Sequence, residues 1–247
     1  MPPAFFLNER KIFLNEQIIQ PKWKIWEAIL AIIGIILAML GLGLLTEVIT
    51  GVWELNDLFI VFSASLIQTI LMIGAAWFFA VVRHNHSYRD LGFIENGFLP
   101  ALPKGIKWGA ALFFMVMVLG ILEALIYPIE PELQDFAKIL LMVDTPGELL
   151  LAVIMGVVLA PLGEEIYFRG FFYPVVRQRF GAKWGIVLTA LFFSALHFDL
   201  YRLLPIAAGG MGLTYLYEKT GNIWTSIIAH GVWNGIMIAL IYYAYPV

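Results

Sequence analysis

Long apolar runs restrict the fold of this chain more than any other feature of its sequence. Residues Ile25–Leu45 carry one charge, Glu27, near their start, and Leu58–Val82 carry none. Ile106–Tyr127 contain Lys107 at one end and Glu123 inside. A helix needs ~20 apolar residues to cross a hydrocarbon core ~30 Å thick. Each of these runs reaches that length, and they predict three transmembrane helices.

Composition agrees with a membrane protein. Hydrophobic residues make up 61% of the 247-residue chain and charged residues 13%, whereas soluble domains have ~45–50% and ~25%. The net charge is −3 and the basic residues are scattered, so no nucleic-acid partner is expected. The chain has no cysteine, which excludes disulfides, thiol nucleophiles and thiolate metal sites.

The second half of the chain has shorter apolar runs that end in polar residues or contain them. These runs are Leu149–Leu162, Trp184–Phe198, Leu203–Tyr217 and Asn222–Tyr245. Such runs can cross a membrane when their polar residues face the interior of a helix bundle. We therefore predict an all-α, polytopic transmembrane bundle of about seven to eight helices, forming one integral membrane domain. Residues 1–144 should hold three transmembrane helices, and residues 145–247 should form a core of four helices that encloses a polar site.

The charges of the loops predict an orientation. Basic residues cluster before the first helix, after the second and after the fourth, and the alternating loops are acidic. Cytoplasmic loops carry the excess of Lys and Arg, so we expect a multi-pass cell-membrane protein with a cytoplasmic N-terminus. The N-terminal segment lacks the pattern of a secretory signal, and we expect the first apolar run to remain in the mature protein.

The stretch "PLGEEIYFRG", residues 161–170, places two carboxylates beside apolar runs. A charged side chain at the centre of a bilayer costs from ~3 to more than 10 kcal/mol, so such residues usually have a function. Glu165 and Arg169 are four residues apart and can pair on one helical face. That pairing leaves Glu164 as the free carboxylate. We also expect Pro161 and Gly163 to break the helix and to open room for water or substrate.

Four histidines occur in the chain. His84 and His86 lie in a basic loop and are expected to be solvated. His197 lies at the end of an apolar run, and a helical hairpin turning at Gly181 would place it level with the carboxylate pair, ~24 Å from the turn at 1.5 Å per residue. His230 and Asn234 are four residues apart. One helical face could therefore present two hydrogen-bond donors to a developing oxyanion.

At these positions the chain resembles the CPBP (Abi) family, which contains the CAAX prenyl proteases and bacteriocin-processing enzymes. The signatures of that family are Glu-Glu-x-x-x-Arg, Phe-x-x-x-His and His-x-x-x-Asn on successive core helices. Here they read "EEIYFR", "FSALH" and "HGVWN", with Glu164, Glu165, Arg169, Phe193, His197, His230 and Asn234 at the signature positions. The resemblance covers residues 145–247, and the first three helices match only in being helices.

The resemblance implies an intramembrane endopeptidase, described as a metalloprotease or glutamic endopeptidase, that uses a glutamate-activated water. By position, Glu164 would be the general base and His197 would bind and polarise the water. His230 and Asn234 would form the oxyanion site.

The remaining signature residues would have supporting roles. Glu165 and Arg169 would orient their helix, and Phe193 would pack beside His197.

Three alternatives remain open at this stage. Glu164, Glu165, His197 and His230 could supply three zinc ligands, but no His-Glu-x-x-His helix is present and Arg169 would oppose a cation. We therefore expect no metal and no cofactor. A proton-coupled transporter would also need embedded acids and histidines. A non-catalytic scaffold or a bacteriocin self-immunity protein could keep the same fold.

The expected partners are the lipid bilayer and a peptide or protein substrate that is membrane-embedded or lipidated. The family first suggests a prenylated C-terminal tail, although nothing in the sequence recognises a prenyl group. In a bacterium, a leader, signalling or bacteriocin-like peptide is the better expectation. Glu123, Trp233 and Tyr201 could contact the substrate, and Glu123 could equally have a structural role.

Overall fold

Helices form almost all of the regular structure in this computed structural model, which describes residues 18–51, 56–128, 133–141 and 143–244. Three long helices come first: α1 (Ile25–Thr50), α2 (Asp57–Trp77) and α3 (Phe98–Ile126). A π-helical turn, Phe78–Arg83, extends α2, and a 3-10 turn, Tyr88–Leu91, precedes α3. The short α4 (Asp135–Leu140) follows. No β-strand occurs within the described ranges.

The second half consists of α5 (Pro146–Val153), α6 (Ala160–Glu165), α7 (Tyr173–Ala195), α8 (Leu203–Thr220) and α9 (Ile223–Ala244). Two π-helical turns, Ile154–Leu159 and Ile166–Phe172, join α5 to α6 and α6 to α7. Five of the described helical segments are long and apolar enough to cross a membrane. The prediction of an all-α fold is confirmed, and three of these five segments lie within residues 1–144.

A tight hairpin divides the continuous segment Pro146–Ala195. Gly181 has φ 78° and ψ 167°, inside a segment that is otherwise helical. A glycine adopts positive φ without the steric cost that a Cβ would add. The chain reverses there, and the predicted turn at Gly181 is confirmed. The second arm of the hairpin then packs against α8, while α9 packs against α3.

The prediction that Pro161 and Gly163 break the helix is wrong. Helical structure continues through both residues, because Pro161 directly follows the π turn Ile154–Leu159, which accommodates a residue without an N–H. Gly163 instead permits a close approach to α2, because a Cβ at this position would lie 3.1 Å from the Cα of Thr69. The helix is locally widened by π turns on both sides of α6.

A buried ion pair holds the hairpin against α8. Arg177 Nε lies 2.9 Å from Glu218 Oε2, and its Nη2 lies 3.1 Å from Oε1. The hydroxyl of Tyr173 donates to the same carboxylate at 2.7 Å. All three residues are buried. Removing one partner of such a pair typically costs ~3–5 kcal/mol, so this network fixes α7 relative to α8.

The N-terminal end of α1 is anchored to the rest of the bundle. Trp23 Nε1 donates to the carbonyl of Phe171 at 2.9 Å, and the hydroxyl of Tyr167 donates to the carbonyl of Ala28. Glu27 is buried and accepts from Arg83 Nε at 2.7 Å. These contacts tie the start of α1 to α2 and to the π turn that follows α6.

The prediction that His84 and His86 are solvated loop residues is wrong, because both are partly buried in this anchor. His84 Nε2 lies 3.0 Å from Glu27 Oε1. His86 Nδ1 lies 3.0 Å from Asp90 Oδ2, and its Nε2 accepts from the backbone N–H of Lys22 at 3.3 Å. Each imidazole contacts a carboxylate, Glu27 for His84 and Asp90 for His86, and these contacts keep both rings partly buried.

Candidate active site

Glu165 lies at the centre of a fully buried polar cluster. Its Oε1 lies 2.7 Å from Arg169 Nη1 and 2.8 Å from His230 Nδ1. Glu165 and Arg169 are four residues apart, and both side chains are completely buried. The predicted pairing is confirmed. A buried charge is tolerated when it is paired and hydrogen-bonded, and here one carboxylate satisfies two donors from different helices.

Residues of α8 and α7 contact the guanidinium group of Arg169. Its Nη2 donates to the carbonyl of Gly210 at 3.0 Å, and its Nε donates to Thr214 Oγ1 at 3.2 Å. The guanidinium carbon lies 4.8 Å from the centre of the Phe193 ring. A cation over an aromatic face is attracted by the negative charge of that face. Arg169 is therefore fixed in place, and it fixes Glu165 in turn.

Glu164 has a different environment from its neighbour. Consecutive residues of a helix point about 100° apart, and the Glu164 side chain is 17% exposed whereas that of Glu165 is not exposed. No described residue donates a hydrogen bond to Glu164; its nearest ionisable contact is His230, whose Nε2 lies 3.9 Å from Oε2. Glu164 is thus an accessible carboxylate with unfilled acceptor positions.

His197 follows the end of α7, in the turn that leads to α8. Its Nδ1 lies 2.9 Å from the carbonyl oxygen of Phe193. A carbonyl can only accept, so Nδ1 carries the proton and Nε2 of the neutral ring keeps its lone pair. The ring stands edge-on to Phe193, with 4.7 Å between ring centres. This contact orients the imidazole, as the family resemblance implies for Phe193.

His230 and Asn234 extend from α9, one helical turn apart. Asn234 Nδ2 donates to the carbonyl of Gly156 at 2.8 Å, which leaves its second N–H for another acceptor. The contact of His230 Nδ1 with a carboxylate places a proton on Nδ1, so Nε2 becomes a donor only in the imidazolium form. Trp233 packs beside His230, with 5.8 Å between ring centres.

The π turn Ile154–Leu159 supplies backbone acceptors to the neighbouring helices. Within Ile154–Leu159, the carbonyl of Gly156 accepts from Asn234, and that of Leu159 accepts from Thr69 Oγ1 at 3.0 Å. The carbonyl of Val157 approaches α9 so closely that a Cβ on Gly231 would lie 2.6 Å from it. Pro161 has no N–H to offer to Val157, four residues earlier. The π turn thereby connects α9 and α2 to the helix that carries the carboxylates.

Two cavities meet at Glu164. We name them by the helix that contributes most to each wall. The α1 cavity has a volume of about 370 Å³, and its wall is formed by Ile32, Ile35, Ile36, Met39 and Leu40 of α1 with Gln68, Met72, Glu164, Phe168, Phe193, Leu196, His197 and Phe198.

The α9 cavity has a volume of about 340 Å³. Its lining includes Ser65, Gln134, Gly156, Glu164, Phe193, His197, Arg202, His230, Trp233, Asn234 and Met237. Glu164, Phe193 and His197 belong to both walls. Both volumes lie within the ~300–1,000 Å³ that is typical of ligand sites.

The part of the chain that builds this site matches a known family. Residues 146–236 match the family model described as Rce1-like, type II CAAX prenyl endopeptidase. They include every residue singled out above as catalytic or supporting. Over these residues the chain is similar to the CAAX prenyl endopeptidases. The five long apolar helices also indicate a multi-pass membrane protein.

Two curated proteins are similar to about half of this chain or more. "Putative membrane peptidase YdiL" of Bacillus subtilis (strain 168) is 26% identical over 151 residues, covering 60% of this chain and 61% of that protein. An "Uncharacterized 24.3 kDa protein" of Escherichia coli is 34% identical over 133 residues, covering 51% of this chain. The chain thus spans 61% and 59% of the lengths of these relatives. No solved structure matches the chain.

The described residues do not assemble an evident metal site. Within the described residues, no group of three or more His, Asp or Glu side chains is placed to hold a metal ion. Glu165 Oε1 already accepts from both Arg169 and His230. That leaves Glu164, His197 and one nitrogen of His230, beside a fixed guanidinium that would repel a cation.

Several residues at this site were not found by sequence reasoning. Gln68, Gln134 and Arg202 line the two cavities, but they come from elements that carry no signature. Trp233 lines the α9 cavity, as expected of a substrate contact. Two other candidate contacts do not: Tyr201 and Glu123 are absent from both cavity walls, and Glu123 Oε2 is buried without a hydrogen-bond partner among the described residues.

Proposed function

We propose that this chain is an intramembrane endopeptidase that hydrolyses peptide bonds with a water activated by Glu164. The substrate would be a membrane-associated or lipidated peptide or protein. The observation that carries the proposal is the difference between the two glutamates. Glu165 is buried against Arg169 and His230, whereas Glu164 keeps free acceptor positions where two cavities meet.

In this mechanism the water lies between Glu164 and His197. Glu164 accepts one proton of the water, and the lone pair of His197 Nε2 accepts a hydrogen bond from the other. The oxygen of the water then attacks the carbonyl carbon of the scissile bond. A positioned carboxylate that takes a proton in the transition state typically contributes ~10²–10⁴-fold to the rate.

The carbonyl oxygen of the scissile bond becomes an oxyanion during this attack. The second N–H of Asn234 can donate to it, because its first N–H is already used by Gly156. His230 donates from Nε2 when its ring is protonated, and Glu165 stabilises that charge through Nδ1. Fixed donors in a site that excludes water stabilise such charge strongly.

The intermediate collapses when the carbon–nitrogen bond breaks. The proton held by Glu164 passes to the leaving nitrogen, which departs as an amine, and the other product is a carboxylic acid. Glu164 returns to its carboxylate form. The residues named here complete the cycle with water alone, so we propose no metal and no cofactor.

The decisive experiment compares two substitutions of embedded glutamates. Glu164→Gln should abolish cleavage of the cellular substrate, found by proteomics of membranes from cells that carry wild type or the variant. Glu123→Gln is the matched control, because Glu123 lies in a transmembrane helix outside both cavity walls. Unchanged proteolysis in Glu164→Gln cells would rule out the proposed mechanism.

We also infer that the N-terminus is cytoplasmic. The inference rests on the excess of Lys and Arg in the loops that would share that side of the membrane. The test uses a reporter enzyme that works only in the cytoplasm. Fused to the N-terminus the reporter should be active, and inserted after residue 51 it should be inactive.

A further inference from the structure

The two cavities that meet at Glu164 are both mainly apolar, and they differ in the number of polar side chains in their walls. Apart from Glu164 and His197, the α1 cavity has one polar side chain in its wall, Gln68. The α9 cavity is also mainly apolar, although Ser65, Gln134, Arg202, His230 and Asn234 reach its wall. A peptide bond held above Glu164 would therefore have a pocket of aliphatic and aromatic side chains on the α1 side.

We infer that the α1 cavity binds a large apolar side chain of the substrate residue next to the scissile bond, and that Met39 selects the size of that side chain. This inference rests on the proposed function. It gives a substrate class: a peptide segment within the bilayer that carries a bulky apolar residue at the cleavage position.

The wall that would select the substrate comes from outside the family match. α1 ends at Thr50, far before the matched residues 146–236. Its N-terminal end is anchored through Trp23, Ala28 and Glu27. Each of the five α1 residues in the cavity wall lies beyond this anchor. α1 can therefore differ between relatives without disturbing the residues that perform the chemistry.

The rim of the α1 cavity faces the apolar surface of the bundle. Leu40 is 60% exposed and Phe198 is 82% exposed, and both line the cavity. In a membrane-spanning bundle, exposed apolar side chains of this kind contact lipid tails. An apolar side chain that enters the cavity past Leu40 and Phe198 would then come from the hydrocarbon rather than from water.

The backbone at this rim is strained. Phe198 has φ 52°, a left-handed conformation that is rare for a bulky residue. Strained residues of this kind cluster at functional sites. Here the strain lies next to His197, and it projects an aromatic ring at the mouth of the cavity. Phe198 is therefore placed to contact whatever enters beside the attacked bond.

The test uses quenched fluorescent peptides in phospholipid vesicles, with one central residue varied and the flanking residues kept constant. The central residue is alanine, leucine, phenylalanine or S-hexadecylcysteine. The variants are Met39→Trp, which fills the cavity, and Met39→Ala, which enlarges it. The matched control is Leu37→Trp, because Leu37 is on the same helix, 62% exposed and outside the cavity wall.

We expect Met39→Trp to raise KM for the leucine and phenylalanine peptides at least tenfold, with kcat within twofold and the alanine peptide unchanged. Met39→Ala should shift the preference from leucine towards phenylalanine, and Leu37→Trp should behave as wild type. Equal effects on all peptides, or none on any, would overturn the inference. A loss confined to the S-hexadecyl peptide would also overturn it, in favour of a lipid chain attached to the substrate.

A second measurement separates this inference from the proposed function. A leucine-type peptide with a photoreactive diazirine at the central side chain is irradiated with the Glu164→Gln variant, and labelled residues are mapped by mass spectrometry. Label on α1 cavity residues without cleavage of any peptide by wild type would support the cavity assignment and contradict the protease function. Cleavage by wild type with label only at other positions would keep the function and overturn the inference.

Discussion

His230 reaches Glu165 with its Nδ1 atom, at 2.8 Å from Oε1, and leaves Nε2 to face Glu164 at 3.9 Å. One imidazole therefore links the two carboxylates but contacts them unequally. The same Oε1 atom accepts a hydrogen bond from Arg169 at 2.7 Å. Glu165 therefore has a structural role. The adjacent glutamates consequently separate into a positioning group and a reactive group.

The first prediction concerns the stability of these two glutamates. Glu165→Gln should lower the free energy of unfolding by ~3–5 kcal/mol, because it leaves the buried Arg169 charge without its partner. Glu164→Gln should change it by less than about 1 kcal/mol, because no described residue hydrogen-bonds to Glu164. Unfolding by SDS in mixed micelles measures both. Equal destabilisation by the two substitutions would show that the glutamates are not divided in this way.

The second prediction concerns Asn234. If its second N–H stabilises an oxyanion, Asn234→Ala should lower kcat by roughly 10²–10³-fold, as loss of one such donor does in other hydrolases. Ser226→Ala on the same helix is the control, because Ser226 is buried away from both cavity walls. An increase in KM with unchanged kcat would assign Asn234 to ground-state binding instead.

The third prediction uses two glycines of α9, one helical turn apart. A Cβ on Gly231 would lie 2.6 Å from the carbonyl oxygen of Val157, whereas a Cβ on Gly235 would lie 3.5 Å from a methyl of the same residue. Gly231→Ala should therefore destabilise the protein by ~1–3 kcal/mol through overpacking. It should also lower activity, because the π turn beside it carries the acceptor of Asn234.

Gly235→Ala is the matched comparison. It adds an ordinary van der Waals contact and a better helix-forming residue, which is worth up to ~1 kcal/mol in a helix interior. Thermal unfolding in detergent should rank the proteins with Gly235→Ala at or above wild type and Gly231→Ala lowest. The reverse order would contradict the close approach of Val157 to α9.

The fourth prediction concerns pH. Burial raises the pKa of Asp199, but hydrogen bonds from the side chain and backbone N–H of Arg202, at 2.6 and 3.0 Å, outweigh it and hold the pKa below its ordinary value. A carboxyl whose folded pKa is lowered stabilises the fold above its unfolded pKa of ~3.9, and this stabilisation is lost as pH falls through the folded value.

Wild type should therefore lose stability relative to Asp199→Asn between pH 5 and pH 3. Unfolding midpoints of both proteins across that interval provide the measurement. Parallel curves would mean that the contact of Asp199 with Arg202 does not contribute to stability. Because Arg202 lines the α9 cavity, activity should be followed in the same samples.

Local spacing predicted the parts of this site that lie within one helix or one hairpin. The four-residue separation of Glu165 and Arg169 predicted their ion pair, and the single glycine in "RFGAK" predicted the turn at Gly181. Both depend only on the rise and twist of a helix. The transmembrane helices could be predicted for a similar reason, since membrane thickness sets their length.

Contacts between helices distant in sequence could not be predicted. His230 and Glu165 are 65 residues apart, and no periodicity encodes which carboxylate an imidazole will contact. The role of α1 was missed because an apolar helix has the same sequence pattern whether it faces lipid only or also lines a cavity. Pro161 was misinterpreted because a helix can accommodate proline through a π turn as well as by breaking.

The two π turns on either side of α6 also limit which insertions and deletions this chain can accept during evolution. A π turn corresponds to one residue inserted into an α-helix. Removing one residue from Ile154–Leu159 would rotate everything after it by about 100° relative to α5. Asn234 would lose Gly156 as its partner, and Glu164 would turn away from the cavities. Single-residue insertions and deletions should therefore accumulate in the loops of relatives and be excluded from this helix, even where its side chains face only lipid.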